Sequence, residues 1–567
     1  MLPLNALLLA TQLNGRIVIE PDVLASHDTS TPHVEMTVAA SPVDAGRLLA
    51  AAIVDHRTKT YLSVDGGNSW SAHDFDDPEV VAGSDDPQAL YTRRGTALFI
   101  TLGKGKRADG RSASRLLVFR SEDGGSSWSP KVTIGEDFSW DRPVVAVDER
   151  GSIYIAASSI NASRLYEAAI VRSDDDGRTF TKPVVFAVAP EHVVMNAVGV
   201  VPLSNGNVAA ITMQTADFES YTMTAKISAD RGTTWSEPHK VGTYSTPADA
   251  RKDLSRYVTW PVFAGDEHGI YGVWMNMQDG TPRIEFASSK DGIAWTDSRV
   301  VERGTAPQYA AAIAAGGGTV AITWFDARDL KEDGAYRVRF TASTDHGDTF
   351  LASRVISSEV SKTLGPGNTA LEPASFVDRR GVQRVAFISA VDRFFPGGDF
   401  GGLAADREGV FHPFWADSRT GTFQSWTTRV HISRDGSTPC VTQTPAVDIS
   451  KRVVVTADPA LSSPAGNEVA IPFRILNDSD SRISGPITIE VLGFGDGPNA
   501  DMNRESAPAI LNATNGKSGA GAVFDYSETL GDLCYLAPGA STRPVIWRFR
   551  VQEGAHVPQM SVVVHGH

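Results

Sequence analysis

Aspartate and arginine recur together along this chain, and the pairing is the first feature that could do chemistry. Asp55-His56-Arg57, Asp326-Ala327-Arg328 and Asp417-Ser418-Arg419 each place an Asp two residues before an Arg, directly after an apolar run. A guanidinium group binds carboxylates in fixed bidentate geometry, whereas an Asp in a tight turn accepts hydrogen bonds from the backbone. The pattern therefore allows two interpretations, a recurrent structural turn or arginines presented to an anionic ligand.

Acidic residues also precede several predicted strands. Asp86 stands before Pro87, Asp141-Arg142-Pro143 places an acid beside a base, and Glu191-His192 and Asp399 occupy similar positions. If these positions are equivalent in neighbouring units, their side chains meet. Crowded carboxyl groups raise one another's pKa, which sets a protonated acid beside an ionised group. The alternative is that each Asp only caps its own turn.

A short signature that occurs six times indicates the elements that position these residues. Ser-x-Asp-x-Gly-x-Ser/Thr-aromatic recurs with first serines 58, 52, 55, 61 and 54 residues apart. A period of about 50 residues indicates an array of equal supersecondary units. The copies, called Asp turns below, are Ser63–Trp70, Ser121–Trp128, Ser173–Phe180, Ser228–Trp235, the shorter Ser289–Trp295 and Ser343–Phe350.

Each Asp turn reads as the tip of a β-hairpin, because strand-like runs flank it on both sides. The Asp accepts hydrogen bonds from backbone N–H groups, and the Gly supplies a positive φ. The aromatic ring then packs between neighbouring sheets. A structural role is therefore predicted for Asp65, Asp123, Asp175, Asp230, Asp291 and Asp345.

Each Asp turn closes a four-stranded unit, and seven units can be counted. The seventh, within residues 402–432, has no Asp turn, and its outer strand is expected from Arg16–Glu20. Such a strand closes the ring and removes the last exposed edge. We predict an all-β chain with a seven-bladed β-propeller, and a six-bladed ring is the alternative.

Four segments are predicted in the chain. Residues 1–30 carry the ring-closing strand, 31–435 form the propeller, 436–447 are a linker, and 448–567 alternate like the strands of an immunoglobulin-like or fibronectin-III-like β-sandwich. Residues 358–397 do not fit the period. They are expected to form an inserted flap or part of an extra blade.

The repeats resemble Asp-boxes, also called BNR repeats, and residues 30–435 resemble the sialidase superfamily of β-propellers. Such boxes also occur in other glycosidases and in non-enzymatic propellers. The resemblance implies three arginines that bind a sugar carboxylate, an Asp general acid and a Tyr nucleophile. The corresponding candidates for substrate binding are Arg57, Arg142, Arg328 and Arg419, with Asp326 and Asp417, and those for catalysis are Asp86, Asp141, Tyr257, Tyr309 and Tyr336.

The chain departs from the superfamily pattern at one position. Sialidases carry Arg-Ile-Pro at the first strand, whereas the nearest match here is Arg16-Ile17-Val18. The expected function is a secreted sialidase-like exo-glycosidase that acts on an anionic glycan. A non-catalytic glycan- or protein-binding propeller is the alternative. A polysaccharide lyase is a further alternative, and it would need a Tyr or His base, with His56, His192 and His412 as the histidine candidates, beside an Arg that neutralises a carboxylate.

Composition limits the other function classes. The chain has 567 residues with 52 Lys plus Arg against 67 Asp plus Glu, a net charge of −15, which argues against nucleic-acid binding. No apolar stretch reaches the roughly 18 residues of a membrane span. We expect a secreted, periplasmic or cell-surface monomer without cofactor or metal. The two cysteines, Cys440 and Cys534, form one bridge or remain two buried thiols.

Overall fold

The computed structural model of the chain describes residues 16–28, 30–107, 110–246, 260–377, 383–433, 446–458, 463–465, 467–495, 508–527, 529–530, 534–552, 557 and 559–567. Within these residues the chain is built from β-strands and three single-turn helices. None of the helices in this part of the chain is long and apolar enough to cross a membrane.

The chain starts with two short strands and continues into three antiparallel four-stranded sheets. The two strands are β1 (Arg16–Ile19) and β2 (Val23–Leu24). The first sheet contains β3 (His33–Ala40), β4 (Leu48–Val54), β5 (Arg57–Ser63) and β6 (Ser71–Asp74), and helix α1 (Pro78–Val81) follows it. The second contains β7 (Ser84–Tyr91), β8 (Ala97–Lys106), β9 (Ser112–Ser121) and β10 (Val132–Ile134). The third contains β11 (Trp140–Val147), β12 (Ile153–Ile160), β13 (Tyr166–Ser173) and β14 (Val184–Val188).

Three more sheets repeat this arrangement. The fourth contains β15 (Val194–Pro202), β16 (Val208–Thr215), β17 (Ser220–Ser228) and β18 (His239–Ser245). The fifth contains β19 (Val262–Asp266), β20 (Gly269–Gln278), β21 (Thr281–Ser289) and β22 (Arg299–Val300). The sixth contains β23 (Gln308–Gly316), β24 (Thr319–Asp326), β25 (Ala335–Ser343) and β26 (Arg354–Val355).

The segment that breaks the repeat forms a hairpin of its own. It runs through β27 (Ser361–Lys362), α2 (Pro366–Thr369), β28 (Glu372–Val377), β29 (Gln383–Ile388) and α3 (Ala390–Arg393). Strands β28 and β29 pair only with each other among the described strands, so this part is a separate two-stranded sheet and not an extra blade.

The seventh sheet combines the two ends of the propeller sequence. It contains β30 (Gly402–Ala405), β31 (Phe411–Asp417), β32 (Gln424–Thr427) and β33 (Val430–Ser433). Strands from near the start of the chain complete its outer side. Strand β2 pairs with β32, and β1 pairs with β33, with a register that runs from Arg16–Ser433 to Ile19–Val430. The innermost strand of each sheet contacts that of the next, and β30 contacts both β23 and β3. The ring therefore closes with seven blades, as predicted.

The Asp turns connect the third and fourth strands of blades 1 to 6. In each turn the first Ser donates its hydroxyl hydrogen bond to the Asp, and the Gly N–H donates to that Ser, as in Ser121–Asp123 (2.7 Å) and Gly125–Ser121 (2.7 Å). The aromatic ring packs against the preceding blade. Trp70 meets Phe414 at 5.3 Å between ring centroids, and Trp235 meets Phe186 at 5.1 Å. The core therefore lies between adjacent sheets.

The C-terminal part contains two packed antiparallel sheets, as expected for a β-sandwich. One sheet has the order β34 (Val447–Asp448), β44 (Met560–Gly566), β39 (Thr488–Phe494), β41 (Ala522–Asp525). The other has the order β35 (Val453–Ala457), β37 (Glu468–Asn477), β43 (Val545–Arg550), β40 (Ala509–Ile510), with β36 (Ser463–Ala465) on β37. The sandwich also contains a separate two-stranded sheet of β38 (Ile483–Ser484) and β42 (Tyr535–Leu536). Trp547 stacks on Phe524 at 3.9 Å between the sheets.

Cys440 lies outside the described residues. Cys534, in the C-terminal sandwich, is not a free thiol.

Candidate active site

The innermost strands of several blades share one irregularity near their first residues. A β-bulge separates Val34 from Thr37, Asp85 from Gln88, Asp141 from Val144, and Tyr309 from Ala312. Bulges re-aim side chains and are frequent beside active sites. Because the bulge recurs at equivalent positions, it directs the corresponding side chains of neighbouring blades toward one place.

Three charged residues occupy these bulges with a strained backbone. Glu35, Asp86 and Arg142 have φ values of 54°, 49° and 54°, in the left-handed region that non-glycine residues rarely adopt. Each such residue costs about 1–3 kcal/mol and persists only where the surrounding structure enforces it. Blades 1, 2 and 3 thus bring two acids and one base together where their inner strands begin.

Arg142 is the centre of this cluster. Its guanidinium Nη2 donates to Asp399 Oδ2 at 2.6 Å, and the indole Nε1 of Trp260 donates to the same oxygen at 2.6 Å. The guanidinium carbon lies 3.6 Å from the Trp260 ring centroid, a cation–π contact. The backbone N–H of Arg142 donates to Asp86 Oδ2 at 3.0 Å. One arginine therefore contacts two carboxylates and one aromatic face.

Asp86 is buried beside Arg142, with 8% of its surface exposed. Burial raises the pKa of Asp86 to about 6, and the Asp141 charge adds to this increase, although Arg142 opposes it. The Asp86 carboxyl therefore gains and loses its proton in the mildly acidic range, where a general acid with this pKa works best.

Glu35 is the second buried acid, with 4% of its surface exposed. Burial raises the pKa of Glu35 well above its ordinary value, and the charges of Asp86 and Asp399 raise it further. Its Oε2 atom has no hydrogen-bond partner among the described residues. The Glu35 carboxyl therefore keeps its proton to a higher pH than an exposed glutamate does.

The loop before β30 must come very close to Glu35. The Glu35 N–H donates to the Gly397 carbonyl at 2.9 Å. A Cβ atom on Gly398, whose φ is +119°, would lie 2.6 Å from the Glu35 nitrogen. Only glycine fits at this approach, and it brings the next residue, Asp399, to Arg142.

A cavity of about 200 Å³ opens beside the cluster into the centre of the ring. Asp86, Arg142 and Trp260 line it where the inner strands begin. Farther along the same strands its lining is apolar, with Val38, Val145, Val200, Ile313 and Leu403. A ligand here would place a polar end on the charged cluster and an apolar side against the channel wall.

The rim of the cavity carries further ion pairs. Asp85 accepts from Lys104 Nζ at 2.6 Å and from Arg393 Nη2 at 2.8 Å. Arg393 ends α3, so this contact fixes the inserted segment to blade 2. His56, in the β4–β5 turn, lies 4.0 Å from Glu372 of the inserted hairpin. The insertion therefore borders the same end of the ring as the charged cluster.

This end of the ring is opposite to the Asp turns. Inner strands begin where the turns between second and third strands lie, because successive strands are antiparallel. The Asp turns connect third and fourth strands and so lie at the other end. The charged cluster and the structural turns are on separate faces.

Two of the predicted site residues, Asp86 and Arg142, lie in the cluster, and Asp141 is exposed next to it. The predicted tyrosines are placed differently. Tyr309 and Tyr336 are fully buried with Phe325 in blade 6, and Tyr336 donates to the Ala416 carbonyl at 2.5 Å. Burial raises the pKa of Tyr336 well above its ordinary value. Tyr257 lies outside the described residues.

Two Asp-x-Arg turns have the same internal geometry. Arg328 donates through Nη2 to Asp326 Oδ2 at 2.7 Å, and Arg419 does so to Asp417 at 2.7 Å. In both turns a tryptophan two residues before the Asp also donates to Oδ2, Trp324 at 3.0 Å and Trp415 at 3.1 Å. These arginines therefore have partners within the fold.

The arginines of the Asp-x-Arg turns have no part in the channel cavity. Arg328 also binds Glu302 at 3.0 Å, and Arg419 binds Asp22 at 2.8 Å. Arg57 is exposed in the β4–β5 turn. None of the three is among the described residues that line the channel cavity.

The three histidines considered for a lyase base also lie elsewhere. His412 is buried and binds Asp406 at 3.0 Å, and His192 is exposed beside Glu191. His56 borders a smaller cavity under the inserted hairpin. None of them lines the channel cavity among its described residues.

Glu35 and Trp260 were not identified from the sequence. The signal for Glu35 was present, because His33-Val34-Glu35, Ser84-Asp85-Asp86 and Trp140-Asp141-Arg142 are equivalent strand starts. Aligning the inner strands at their bulges would have found it. Trp260 follows a long connection between blades 4 and 5, and no repeat marks its position.

No protein-family model matches the chain, and no curated protein matches it. Solved structures do resemble it. A protein of unknown function from Dyadobacter fermentans has a TM-score of 0.41 at 14% identity, covering 74% of this chain and 99% of that one. The Trypanosoma rangeli sialidase has a TM-score of 0.37 at 12% identity, and the match covers 87% of this chain and 93% of the sialidase. A mutant of the α-L-arabinofuranosidase Arb93a of Fusarium graminearum has a TM-score of 0.39 at 15% identity, and the match covers 57% of this chain and 98% of that enzyme. These values are too low to carry an assignment of activity or substrate.

Proposed function

We propose that this chain is a glycoside hydrolase whose working groups are Asp86, Asp399 and Arg142 at the charged end of the propeller channel. The observation that carries the proposal is the pairing of a buried acid of raised pKa, Asp86, with a carboxylate held by two N–H donors, Asp399. Glycosidases use two carboxyl groups in this way, one to give a proton and one to stabilise positive charge.

Asp86 is the general acid of the proposed reaction. Its carboxyl lines the cavity, and its pKa of about 6 leaves it largely protonated at pH 5. It would donate this proton to the glycosidic oxygen as the bond to the leaving group breaks. The Arg142 N–H bond to Oδ2 fixes the direction in which the carboxyl faces.

Asp399 is the second carboxyl. The short bonds from Arg142 and Trp260 to its Oδ2 suit a carboxylate, and they hold Asp399 beside residues that line the cavity, namely these two donors and the following Phe400. There it would face the positive charge that develops at the anomeric carbon, either as nucleophile or as base for a water molecule. The stereochemistry of the first product, observed by NMR, distinguishes the two.

The charge balance of the cavity supports an uncharged sugar at the cleavage position. Arg142 is the one cationic side chain among the described lining residues, and its guanidinium already binds Asp399, while its backbone N–H binds Asp86. Carboxylate recognition of the sialidase type needs guanidinium groups that are available to the ligand. A neutral furanose or pyranose therefore suits this cavity better than a sialic acid.

The proposal is tested with the purified full-length protein and a panel of 4-methylumbelliferyl glycosides that includes neutral sugars and a sialoside. We expect turnover of a neutral glycoside at pH 5–6. Asp86→Asn and Asp399→Asn should each lower kcat by about 100-fold or more, the scale of losing an acid–base group. Asp297→Asn, an exposed carboxylate beyond the fifth Asp turn, is the matched control and should leave kcat unchanged.

Two results would overturn the proposal. Turnover that survives in both Asp86→Asn and Asp399→Asn would place the chemistry elsewhere. Absence of turnover across the panel, together with glycan binding that Asp86→Asn weakens, would make the channel a binding site of a non-catalytic propeller.

A further inference from the structure

Three potential metal ligands meet on the Asp-turn face, at the opposite end of the ring from the charged cluster. Asp266 ends β19, and His268 follows it in the tight turn to β20 of blade 5. His346 lies in the sixth Asp turn, between β25 and β26 of blade 6. The three side chains therefore come from two different blades and meet at the boundary between them.

The ligand atoms are close enough to share one ion. One atom from each of Asp266, His268 and His346 lies within 4.8 Å of the others. The rings of His268 and His346 are stacked with centroids 3.7 Å apart and 25° between their planes. Asp266 Oδ1 lies 3.8 Å from His268 Nδ1. Among the described residues this is the one grouping of its kind.

Asp266 carries the strongest indication of a missing partner. Its side chain is 3% exposed. Oδ1 accepts from the His268 N–H at 2.8 Å and from the Tyr271 hydroxyl at 3.0 Å, whereas Oδ2 has no hydrogen-bond partner among the described residues. A buried carboxylate oxygen without a partner is costly, and a cation beside it would remove that cost.

We propose that Asp266, His268 and His346 bind a divalent transition-metal ion of the Zn²⁺ class, with water at the remaining positions. Imidazole nitrogen with carboxylate oxygen is the ligand set that Zn²⁺ prefers over Ca²⁺ or Mg²⁺. Three atoms within 4.8 Å of one another can share a centre about 2.8 Å from each, and Zn–N bonds are about 2.1 Å. Both imidazoles are exposed, so rotation of the two His side chains would bring their nitrogens from about 2.8 Å to about 2.1 Å from the ion.

The ion would add a link between two blades that are already joined here by Arg299, whose guanidinium donates to the Gly347 and Asp348 carbonyls. Its ligands come from the β19–β20 turn of blade 5 and from the Asp turn of blade 6, so binding requires the folded ring. A ligand that binds only the folded state raises its stability by mass action. The site lies at the opposite end of the ring from the channel cluster, so the inference does not depend on the proposed hydrolase activity.

The test uses the full-length protein, dialysed against a chelator and then titrated with ZnCl₂ in a calorimeter and in a thermal-unfolding assay. We expect one ion per chain from this site and a rise in Tm of several degrees. His268→Ala and His346→Gly should each weaken that binding by at least about 10-fold, the scale of losing a metal ligand. His565→Ala, which removes a histidine of the sandwich 3.9 Å from Glu490 and outside this cluster, is the matched control.

His346→Gly keeps the test decisive. His346 has a φ of 59°, and the first two Asp turns have Gly66 and Gly124 at the equivalent position. The variant should therefore fold at least as well as the parent protein without metal, while losing the zinc-dependent rise in Tm. Zinc binding of equal affinity in parent, His268→Ala and His346→Gly, or no binding by the parent, would overturn the proposal.

Discussion

Asp86 holds two unfavourable features at one position, a left-handed backbone and a carboxyl buried in its less stable charged form. Neither feature helps the chain to fold. Strain of this kind is concentrated at functional sites, where a residue is selected for reactivity and the remaining structure keeps it in place. The same reasoning applies to Glu35, whose backbone is also left-handed and whose carboxyl pKa is raised by burial.

Replacing Asp86 by Asn should stabilise the protein at high pH. The pKa of Asp86 rises from 3.8 to about 6 on folding because the carboxyl is buried, so the folded state binds the proton more tightly. Stability therefore falls as the pH rises from about 4 to about 6, and the loss persists above that range. We expect Asp86→Asn to raise the free energy of unfolding by about 1–3 kcal/mol at pH 8 and to have little effect at pH 4. Urea unfolding at both pH values measures the difference, and a less stable variant at pH 8 contradicts it.

The sequence points to three of the five residues of this cluster. Asp86, Arg142 and Asp399 are charged residues just before or at predicted strand starts, whereas Glu35 and Trp260 were not identified. The tyrosines were misleading candidates for a cavity, since the inner and middle strands of blade 6 direct Tyr309 and Tyr336 into the core between sheets. Which face a side chain takes depends on the bulge before it, and a bulge has no reliable mark in one sequence.

The Asp turn is the element that the sequence defined most completely. Its Asp accepts from the turn backbone and from the last Ser or Thr hydroxyl, as in Asp123, which binds the Ser127 N–H at 2.8 Å and hydroxyl at 2.5 Å. The fifth turn is one residue shorter, and its Asp291 binds the N–H groups of Ile293 and Ala294 at 2.8 and 3.0 Å. Ala294 stands where the other turns have Ser or Thr, so Asp291 accepts no hydroxyl hydrogen bond there and this turn contains fewer hydrogen bonds.

Removing the Asp should therefore have unequal effects in the two turns. Asp123→Ala is expected to lower the free energy of unfolding by about 1–3 kcal/mol, because several donors lose their acceptor. Asp291→Ala should lower it by less, since its turn contains fewer such bonds. Thermal and urea unfolding of the two variants provide the comparison, and equal losses would show that the hydroxyl contact adds nothing.

Turn motifs and strand patterns in the sequence predict the hairpins of the blades. They do not predict the structure of segments between the repeats. The order of four strands in each blade followed from the period and from the turn residues. Residues 358–397 could not be assigned, because their hairpin pairs with no blade and its place depends on contacts such as Arg393 with Asp85. Long-range ion pairs leave no periodic signal in the sequence.

In the whole molecule, Asp22 joins parts that are far apart in the sequence. Asp22 follows β1, binds Arg419 of blade 7 at 2.8 Å, and accepts from the Ser358 hydroxyl at 2.8 Å. Arg543 of the sandwich lies 3.7 Å from its other oxygen. One fully buried carboxylate thus contacts the ring-closing segment, the seventh blade and the C-terminal domain.

Replacing Asp22 by Asn should have the opposite effect to the same change at Asp86. Burial alone would raise the pKa of Asp22, but Arg419 and Arg543 lower it to about 2. The charged form therefore stabilises the fold above about pH 4, and this stabilisation is lost as the pH falls toward 2. We expect Asp22→Asn to lower the free energy of unfolding at pH 7 by about 2–4 kcal/mol. Urea unfolding at pH 7 and pH 3 tests this, with Asp480→Asn, an exposed residue of the sandwich, as the control, and a loss that grows at pH 3 would contradict it.

The pairing of β1 with β33 has a consequence for the nascent chain. About 400 residues separate the two partners, so β1 leaves the ribosome long before β33 and has no partner strand until the seventh blade has been translated. Until then the ring is an open arc with two unpaired sheet edges, and such edges invite association with other chains. Closing the loop is slow because the contact is among the most distant in sequence. The yield of folded protein therefore depends on how well the cell protects the two unpaired sheet edges until the last blade has been made.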